Sequence, residues 1–188
     1  MPRLPYPVWD DLPEETVAAI KDFPVPINSV RAIALAPTLT APLLDLVTRM
    51  MTVLELRPKH REMLVLLVSH ETHCRYEWLE HLPQAAAVGV TEADLLLIAD
   101  PDERCTDQAE RALLSAGRRY LRQAGWDGEP MQQLQVHFTA RQIAEILFVL
   151  GAIRMFTLYI NALDLEVDEA GDELAQGFAS MATERGGQ

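Results

Sequence analysis

Apolar residues recur at three- and four-residue intervals through most of this chain, and no stretch alternates between apolar and polar residues as a half-buried strand does. The stretch from 37 to 54 shows the pattern, with Leu39, Leu43, Leu46 and Met50 on one helical face. Prolines, glycines and capping residues divide the chain into about eight or nine such segments. With 188 residues, it is long enough for one domain with a full core. We therefore predict an all-α, single-domain, multi-helix bundle.

The segment from 58 to 69 is apolar on nearly every side, which indicates a helix at the centre of the bundle. A polar tetrapeptide at 70–73 (His-Glu-Thr-His) interrupts it. A further helix is predicted from about 74 to 88, ending at Gly89. A capping box that starts at Thr139 begins the most apolar helix, which reaches about residue 162.

The two ends of the chain differ in composition from its body. Residues 1–27 are rich in proline and predict an extended arm with one short helix at 13–21. The arm is apolar enough either to lie on its own domain or to wrap a neighbouring subunit. The helical domain is expected to span residues 28–183, and residues 184–188 are expected to fray.

The formal net charge of −12 at pH 7 argues against nucleic acid and anionic membrane surfaces as partners. Arg141, Glu145 and Arg154 bracket the most apolar run too closely for a membrane span of about 20 residues. The charged, proline-rich N-terminus lacks the apolar core of a secretory signal. Because Cys74 and Cys105 are too few for a disulfide framework, we expect a cytoplasmic protein.

One stripe of the predicted 74–88 helix carries chemistry. At about 100° per residue, Cys74, Glu77 and His81 fall within an arc of roughly 60°, with Trp78 at its flank. Two residues point away from this stripe: Tyr76 and Glu80. Glu77 and His81 lie four residues apart and can touch. Apolar neighbours would turn the stripe inward, where burial shifts pKa values in ways that suit acid/base catalysis. The alternative is a hydrogen-bonded contact between two helices, without catalysis.

Glu62 is the second candidate region, because it lies among apolar neighbours in the central helix. One unbroken helix would place it about 18 Å from Cys74. A sharp bend at residues 70–73 would instead fold the two helices together and bring Glu62 to the stripe.

The spacing of these residues resembles that of the carboxymuconolactone decarboxylase superfamily, which includes the alkylhydroperoxidase D proteins. The peroxidases of that group have a Glu, eleven residues, a Cys-x-x-Cys, three residues and a His. Here the pattern is Glu62, eleven residues, Cys74-Arg75-Tyr76-Glu77, three residues and His81. The Tyr-Glu-Trp-x-x-His run at 76–81 resembles a subgroup that lacks the second cysteine, and the resemblance extends over about residues 30–168. It implies an all-α fold of the alkylhydroperoxidase D-like type that forms oligomers, commonly trimers or hexamers.

Two departures limit what the resemblance implies about the reaction. In the peroxidases the second cysteine attacks the peroxide and the first resolves it, whereas Glu77 stands at the attacking position here. Cys74 alone occupies the resolving position, and a disulfide with Cys105 would require the fold to bring the two close. The lactone decarboxylases resemble this chain around Glu62 and His81, but the Tyr-Glu-Trp triplet is not their rule.

The first functional hypothesis is an acid/base enzyme without a cofactor, which decarboxylates or otherwise moves a proton on a small carboxylic acid or lactone. His81 would donate the proton or act as the electrophile, Glu77 would orient His81 or act as the base, and Glu62 would be the relay behind them. The candidate substrate-binding residues are Trp78, Tyr76 and Arg61, with Trp78 part of an apolar wall. An anionic substrate needs positive charge, for which Arg61 and Arg75 are the nearest candidates.

Three alternatives stay open. A thiol peroxidase would use Cys74, activated by His81 or His73. A metal site would draw on His70, His73, Glu77 and His81, although the spacing is not that of the His-Glu-x-x-His motif. A non-catalytic helical scaffold would keep these residues without a pocket beside them.

Several predicted helices are apolar nearly all round, more than one domain of this size buries by itself. We therefore predict a homo-oligomer, with the proline-rich arm and the 139–162 helix as candidate interfaces.

Overall fold

The computed structural model describes residues 2–100, 105–122, 128–168, 170, 173, 176–178 and 180. Within these ranges, nine α-helices follow one 3-10 turn (Trp9–Asp11) and no β-strand occurs, which confirms the predicted all-α class. In chain order the helices are α1 (Glu14–Lys21), α2 (Asn28–Ile33), α3 (Pro37–Thr52), α4 (Pro58–Glu71), α5 (Arg75–Ala87), α6 (Glu92–Ala99), α7 (Gln108–Arg122), α8 (Gly128–His137) and α9 (Ala140–Leu163).

Helix α4 lies at the centre of the bundle, as its composition predicts. Every residue from His60 to Ser69 is buried, and α5, α6, α7 and α9 pack around the helix. Burying each large aliphatic side chain of this helix contributes about 1.5–3 kcal/mol. The same packing holds the one buried carboxylate of α4, that of Glu62, in a fixed position.

The tetrapeptide at 70–73 forms the bend that the position of Glu62 requires. His73 adopts a left-handed backbone conformation with φ of 52°, which turns the chain sharply after α4. The backbone N–H of Cys74 donates to the carbonyl of Ser69 at 2.8 Å and closes the turn. Helix α5 then begins at Arg75, with Cys74 as its N-cap residue, and runs back along α4.

Several helix boundaries differ from the predicted ones by a few residues. Helix α3 ends at Thr52 rather than at residue 54, and α5 ends at Ala87 rather than at residue 88. Helix α7 begins at Gln108 because the carboxylate of Asp107 accepts the backbone N–H groups of Ala109 and Glu110, at 2.8 and 3.1 Å. Asp107 therefore sets the start of this helix.

The described part of the N-terminal arm lies on its own domain. The backbone N–H and the guanidinium of Arg3 donate to the last carbonyls of α9, those of Leu163 and Ala162, at 2.8 and 3.0 Å. The guanidinium of Arg31 lies 4.4 Å from the ring centre of Tyr6. The predicted fraying of 184–188 falls outside the described residues.

Helix α9 has the length and composition of a membrane-spanning helix. The charges that bracket its apolar run had predicted that this segment is too short to span a membrane. The core helix of a water-soluble bundle passes the same test, and 44% of the apolar window of α9 is buried inside the chain. In this structure the helix packs along α4 and α7, so it serves as a core element.

Candidate active site

The bend after α4 brings together two residues that are 19 positions apart in sequence. The Nδ1 atom of His81 on α5 lies 2.8 Å from Oε2 of Glu62 on α4. The other carboxylate oxygen of Glu62 accepts a hydrogen bond from Nε of Arg61 at 2.9 Å. The guanidinium of Arg61 also donates to the carbonyl of Met51 at 2.7 Å. The predicted approach of Glu62 to His81 is therefore present in the structure.

The second ring nitrogen of His81 faces Glu77. Its Nε2 atom lies 3.2 Å from Oε2 of Glu77, one helical turn earlier on α5. The result is a linear chain of charged groups, Arg61–Glu62–His81–Glu77. The side chain of Glu62 is fully buried, whereas those of Glu77 and His81 are 11% and 12% exposed. The chain thus runs from the core toward a more open end at Glu77.

Burial and charge act against each other on the two central groups. Burial alone would lower the pKa of His81, but the charges of Glu62 and Glu77 and the hydrogen bonds to them outweigh it and raise that pKa to about 10. Burial alone would raise the pKa of Glu62, but the charges of and hydrogen bonds to His81 and Arg61 hold it below its usual value. His81 is therefore an imidazolium ion at neutral pH, held between two carboxylates.

A cavity of about 70 Å³ lies against the open end of this chain. Its polar wall comes from one face of α5, which presents Tyr76, Glu77, Glu80, His81 and Gln84. Its apolar wall comes from four other parts of the chain, which contribute Phe23, Ile27, Val30, Ile33, Leu44, Val47, Met50, Met51, Ile153, Phe156, Ile160 and Phe178. Carboxylate and imidazolium thus meet a largely water-excluding hollow, the setting in which acid/base groups act most strongly.

The face of α5 that meets the cavity is not the predicted one. Tyr76 and Glu80, which were expected to point away, line the cavity, whereas Trp78 does not. The face is rotated by about 60° around the helix axis from the predicted stripe. Trp78 instead packs against the core beside the ring of His70, with ring centres 6.2 Å apart. The interpretation of Trp78 as a cavity wall is therefore wrong.

Tyr76 lines the cavity, as expected of a substrate-binding residue, but its hydroxyl is already engaged. It donates to Oδ2 of Asp168 at 2.6 Å and accepts the backbone N–H of Ser29 at 3.1 Å. Burial and the hydrogen bond to Asp168 raise the pKa of this hydroxyl far above its usual value. Tyr76 therefore shapes the cavity and ties α5 to the start of α2.

Cys74 is separated from this chemistry. Its side chain is 1% exposed and does not line the cavity. Burial is the main cause that raises the pKa of its thiol, to about 11, and the charge of Glu77 adds to it. Both Cys74 and Cys105 are free thiols. Cys74 is the N-cap residue of α5 at the α4–α5 turn, so its thiol lies near the backbone of Glu77 but outside the cavity wall.

The two arginines proposed to attract an anionic substrate also lie outside the cavity wall. Arg61 is buried behind Glu62, and its guanidinium donates hydrogen bonds to Glu62 and to the carbonyl of Met51. Arg75 is exposed at the start of α5. Among the described lining residues, His81 is the only basic side chain. Arg61 therefore does not face the cavity, and it holds Glu62 instead.

The residues proposed for a metal are not assembled into a site. Within the described part of the chain, no group of three or more His, Cys, Asp or Glu side chains has metal-binding geometry. Both ring nitrogens of His81 are engaged by carboxylates, and His70 packs against Trp78.

Sequence reasoning missed Gln84 and the apolar walls. Gln84 is 4% exposed and continues the face of Glu77 and Glu80 by one turn. The spacing of Glu77, Glu80 and Gln84 is a helical periodicity of polar residues, and it was the available indication of the true face. The apolar walls lie far away in sequence and carry no such indication.

Comparison with solved structures finds the same fold in two bacterial proteins. An uncharacterized peroxidase-related protein from Silicibacter sp. TM1040 superposes with a TM-score of 0.75 at 20% identity, covering 91% of this chain and 94% of that one. A protein of unknown function from Agrobacterium tumefaciens, provisionally assigned to antioxidant defence as AhpD, gives 0.65 at 19% identity, covering 75% and 96%. No protein-family model and no curated protein sequence matches the chain.

The chain therefore has the alkylhydroperoxidase D-like fold, and the fold implied by the sequence resemblance is confirmed. Its candidate site carries the carboxylate of Glu77 where the peroxidases of that fold carry a cysteine. The finer resemblance to a Tyr-Glu-Trp subgroup stays a prediction.

Proposed function

We propose that this protein is a cofactor-independent enzyme that moves a proton on a small carbonyl compound bound in the cavity. The observation that carries the proposal is the chain Glu62–His81–Glu77, which begins at a fully buried carboxylate and ends at the cavity. A carboxylate and an imidazolium side by side can serve as base and acid in one step. No residue of the chain needs to change its oxidation state.

In the proposed step, the carboxylate of Glu77 takes a proton from the carbon next to the carbonyl group. The electron pair of that C–H bond moves toward the carbonyl oxygen, where negative charge develops. This oxygen replaces Glu77 as the acceptor of the Nε2–H of His81, and the 3.2 Å separation of the two side chains marks a weak contact that a substrate can replace. Glu77 then returns the proton, to the same carbon or to a conjugated one.

Decarboxylation would use the second half of the same step. The electron pair of the C–C bond would move to the carbonyl oxygen as CO₂ leaves. The carbon would then take a proton from the carboxylic acid form of Glu77, which water would protonate again before the next turnover. Glu62 and Arg61 touch no part of the cavity and act as positioning residues. Glu62 keeps the imidazole protonated and fixes the direction of its Nε2–H.

The experiment that tests the proposal is exchange of carbon-bound hydrogen in D₂O, followed by proton NMR on a panel of small ketones, lactones and β-keto acids. Release of CO₂ from the acids is measured in parallel. Wild-type protein should exchange hydrogen or release CO₂ faster than buffer alone does. The rates of Glu77→Gln and His81→Ala should each be lower than that of wild type by about 100-fold or more. Glu129→Gln, at an exposed position on α8, is the matched control and should keep the wild-type rate. Equal rates for wild type, Glu77→Gln and His81→Ala would refute the proposal.

A second candidate is a thiol peroxidase, which the descriptions of the two structural neighbours favour. The buried Cys74, with a pKa raised to about 11 and no place in the cavity wall, counts against it. Consumption of hydrogen peroxide by wild type and Cys74→Ser decides between the two functions. A rate that is abolished in Cys74→Ser would establish the peroxidase, and the acid/base proposal expects no difference.

We also propose that the chain forms a homo-oligomer in the cytoplasm and binds no nucleic acid. Large apolar side chains on the outer face of α9 are exposed, among them Phe148 at 72% and Leu158 at 57%. A second subunit would remove this surface from water. Light scattering at micromolar concentration tests the proposal, and a monomer would contradict it. The net charge of −12 argues against binding of nucleic acid. The two free thiols are typical of a protein of the cytoplasm.

A further inference from the structure

One residue in the polar wall of the cavity carries a buried hydrogen-bond acceptor that lacks a donor. Gln84 follows Glu77 and Glu80 along the cavity face of α5. The side-chain oxygen of Gln84 is buried and has no hydrogen-bond partner among the described residues. A buried acceptor without a partner is uncommon and unfavourable, because it has lost its water without gaining a donor.

The orientation of the Gln84 amide follows from its other contact. Its Nε2 atom lies 3.1 Å from the carbonyl oxygen of Glu80, so this atom must be the donor nitrogen. The remaining atom at the cavity wall is then the oxygen. A rotation of the amide would place oxygen against oxygen and leave the nitrogen unpaired.

The tyrosine and histidine donors of the cavity wall are already used within the protein. Tyr76 donates its hydroxyl hydrogen to Asp168, and Tyr159 donates to the carbonyl of Ala32 at 2.7 Å. The two N–H groups of His81 face Glu62 and Glu77. A bound molecule that brings its own donor can therefore satisfy the oxygen of Gln84.

The charged side chains of the cavity wall are mostly negative. Two carboxylates, those of Glu77 and Glu80, lie in the cavity wall, and neither lysine nor arginine is among the described lining residues. The single positive charge of His81 is already shared between Glu62 and Glu77. A carboxylate in this apolar surrounding would lose its water and meet like charges.

We infer that the substrate is an uncharged, largely apolar carbonyl compound that carries an N–H or O–H donor, and that Gln84 accepts the hydrogen bond from this donor. The inference rests on the proposed function, because it takes the cavity as the substrate site. It replaces the anionic substrate expected from sequence, and it favours proton transfer over decarboxylation, whose substrates carry a carboxylate. The cavity of about 70 Å³ is smaller than an engineered cavity of about 150 Å³ that binds benzene, so the group that enters it is small.

Three probes of nearly equal shape separate charge from hydrogen bonding. Butanamide carries a donor, pentan-2-one replaces the amino group by a methyl group, and butanoate replaces it by a charged oxygen. Protein with labelled methionine methyl groups is titrated with each probe and followed by NMR. Met50 and Met51 line the cavity and report binding there, and Met131, outside the cavity wall, is the internal control.

Butanamide should shift the Met50 and Met51 signals at about tenfold lower concentration than pentan-2-one, the ratio expected when a hydrogen bond satisfies a buried acceptor. Butanoate should bind more weakly than either. In Gln84→Met, which keeps the size of the side chain and removes the acceptor, butanamide should fall to the level of pentan-2-one. The comparison of probes on the unaltered protein needs no variant, so a folding defect in Gln84→Met leaves it intact.

The inference is overturned if butanoate binds as well as butanamide, if no probe shifts Met50 or Met51, or if folded Gln84→Met keeps the full preference for butanamide. Because the titration requires no turnover, it is independent of the proton-exchange assay. A preference for butanamide without exchange activity would refute the proposed reaction and leave the substrate class supported. Exchange activity together with a preference for butanoate would support the proposed reaction and refute the substrate class.

Discussion

The imidazole of His81 donates from Nδ1 to a carboxylate oxygen of Glu62 at 2.8 Å, and the side chain of Glu62 is fully buried. A buried carboxylate is stable only if its charge is balanced nearby. Here Arg61 and His81 each supply one hydrogen bond to it. The pair therefore links the stability of the fold to the protonation state of the candidate acid.

Replacing Glu62 by Gln should lower the pKa of His81 from about 10 toward its usual value of 6.5, because the charge that holds the proton is removed. Unfolding free energy should fall by about 3 kcal/mol or more, since Arg61 is left without its carboxylate. NMR titration of the His81 ring measures the pKa.

Glu110→Gln is the matched control for Glu62→Gln. Glu110 is also buried and also pairs with a cation, Lys59, at 2.7 Å, but it lies away from His81. This variant should lose stability without moving the pKa of His81. An unchanged pKa in Glu62→Gln would show that Glu62 does not hold the proton.

The same pair predicts how stability depends on pH. The pKa of His81 is raised in the folded state, so its contribution is complete below the unfolded value of about 6.5 and is lost as pH rises through about 10. The pKa of Glu62 is lowered, so its contribution is present above its usual value of 4.5 and is lost as pH falls. Stability contributed by the pair should therefore be greatest between about pH 4.5 and 6.5.

Urea unfolding of wild type and Glu62→Gln from about pH 6.5 to 10 isolates the contribution of this pair, because the other titrating groups are common to both proteins. The difference in unfolding free energy should shrink as the pH rises from about 6.5 to 10. A difference that stays constant over this interval would contradict the assignment of the raised pKa to the Glu62–His81 pair.

The sequence predicted the link between Glu62 and His81 because both parts of that link are local. A helix that is apolar all round must be central, and the polar tetrapeptide at 70–73 gives the chain a place to reverse. Once α5 folds back along α4, Glu62 on one helix and His81 on the other come level with each other. Capping residues predicted the helix starts in the same local way, as at Thr139.

Only the polar spacing of Glu77, Glu80 and Gln84 indicated the rotation of α5, and a larger apolar residue indicated another face. Trp78 is the largest apolar side chain near the stripe, and it suggested the buried face. In the structure both sides of α5 are covered, so Trp78 packs on one side while Tyr76, Glu80 and Gln84 face the cavity on the other. Which face of a helix meets a cavity depends on distant segments, here α2, α3 and α9, whose positions cannot be inferred from α5 alone.

Cys74 should react slowly with alkylating reagents in the folded protein. Its thiol is buried and its raised pKa of about 11 leaves very little thiolate at neutral pH. Mass spectrometry after iodoacetamide treatment measures the rate, with urea-unfolded protein as the control in which Cys74 reacts at the rate of an ordinary thiol. Rapid modification of Cys74 in the folded state would contradict the prediction and strengthen the peroxidase alternative.

Filling the cavity should reduce activity without disturbing the charged chain. Val47 on α3 lines the cavity opposite α5, so Val47→Phe places extra volume where a substrate must lie. We expect kcat/KM in the exchange assay to fall about tenfold or more, the scale on which small misplacements of a substrate act. The pKa of His81 should stay near its wild-type value, which NMR checks in the same sample.

Val136→Phe is the control for added bulk, because Val136 is 75% exposed on α8 and outside the cavity wall. Its activity should equal that of wild type. Full activity in Val47→Phe would mean that the cavity between α3 and α5 is not where the substrate binds.

Two glycines inside helices should respond to alanine in opposite directions. A Cβ atom at Gly117 of α7 would lie 2.7 Å from Cδ2 of Leu67, in the fully buried centre of α4. Overpacking of this kind costs about 1–3 kcal/mol, more than the gain of about 1 kcal/mol from the higher helix propensity of alanine. Gly117→Ala should therefore lower the unfolding free energy by about 1 kcal/mol.

At Gly151 of α9 the nearest atom to a new Cβ is the hydroxyl oxygen of Tyr120 at 3.6 Å, an ordinary contact distance. Alanine there gains helix propensity without a clash, so Gly151→Ala should raise the unfolding free energy by about 0.5–1 kcal/mol. Urea denaturation of both variants gives the two signs directly. Because α7 approaches α4 closely only where residue 117 lacks a side chain, stabilisation by Gly117→Ala would show that the two helices are packed more loosely than this structure describes.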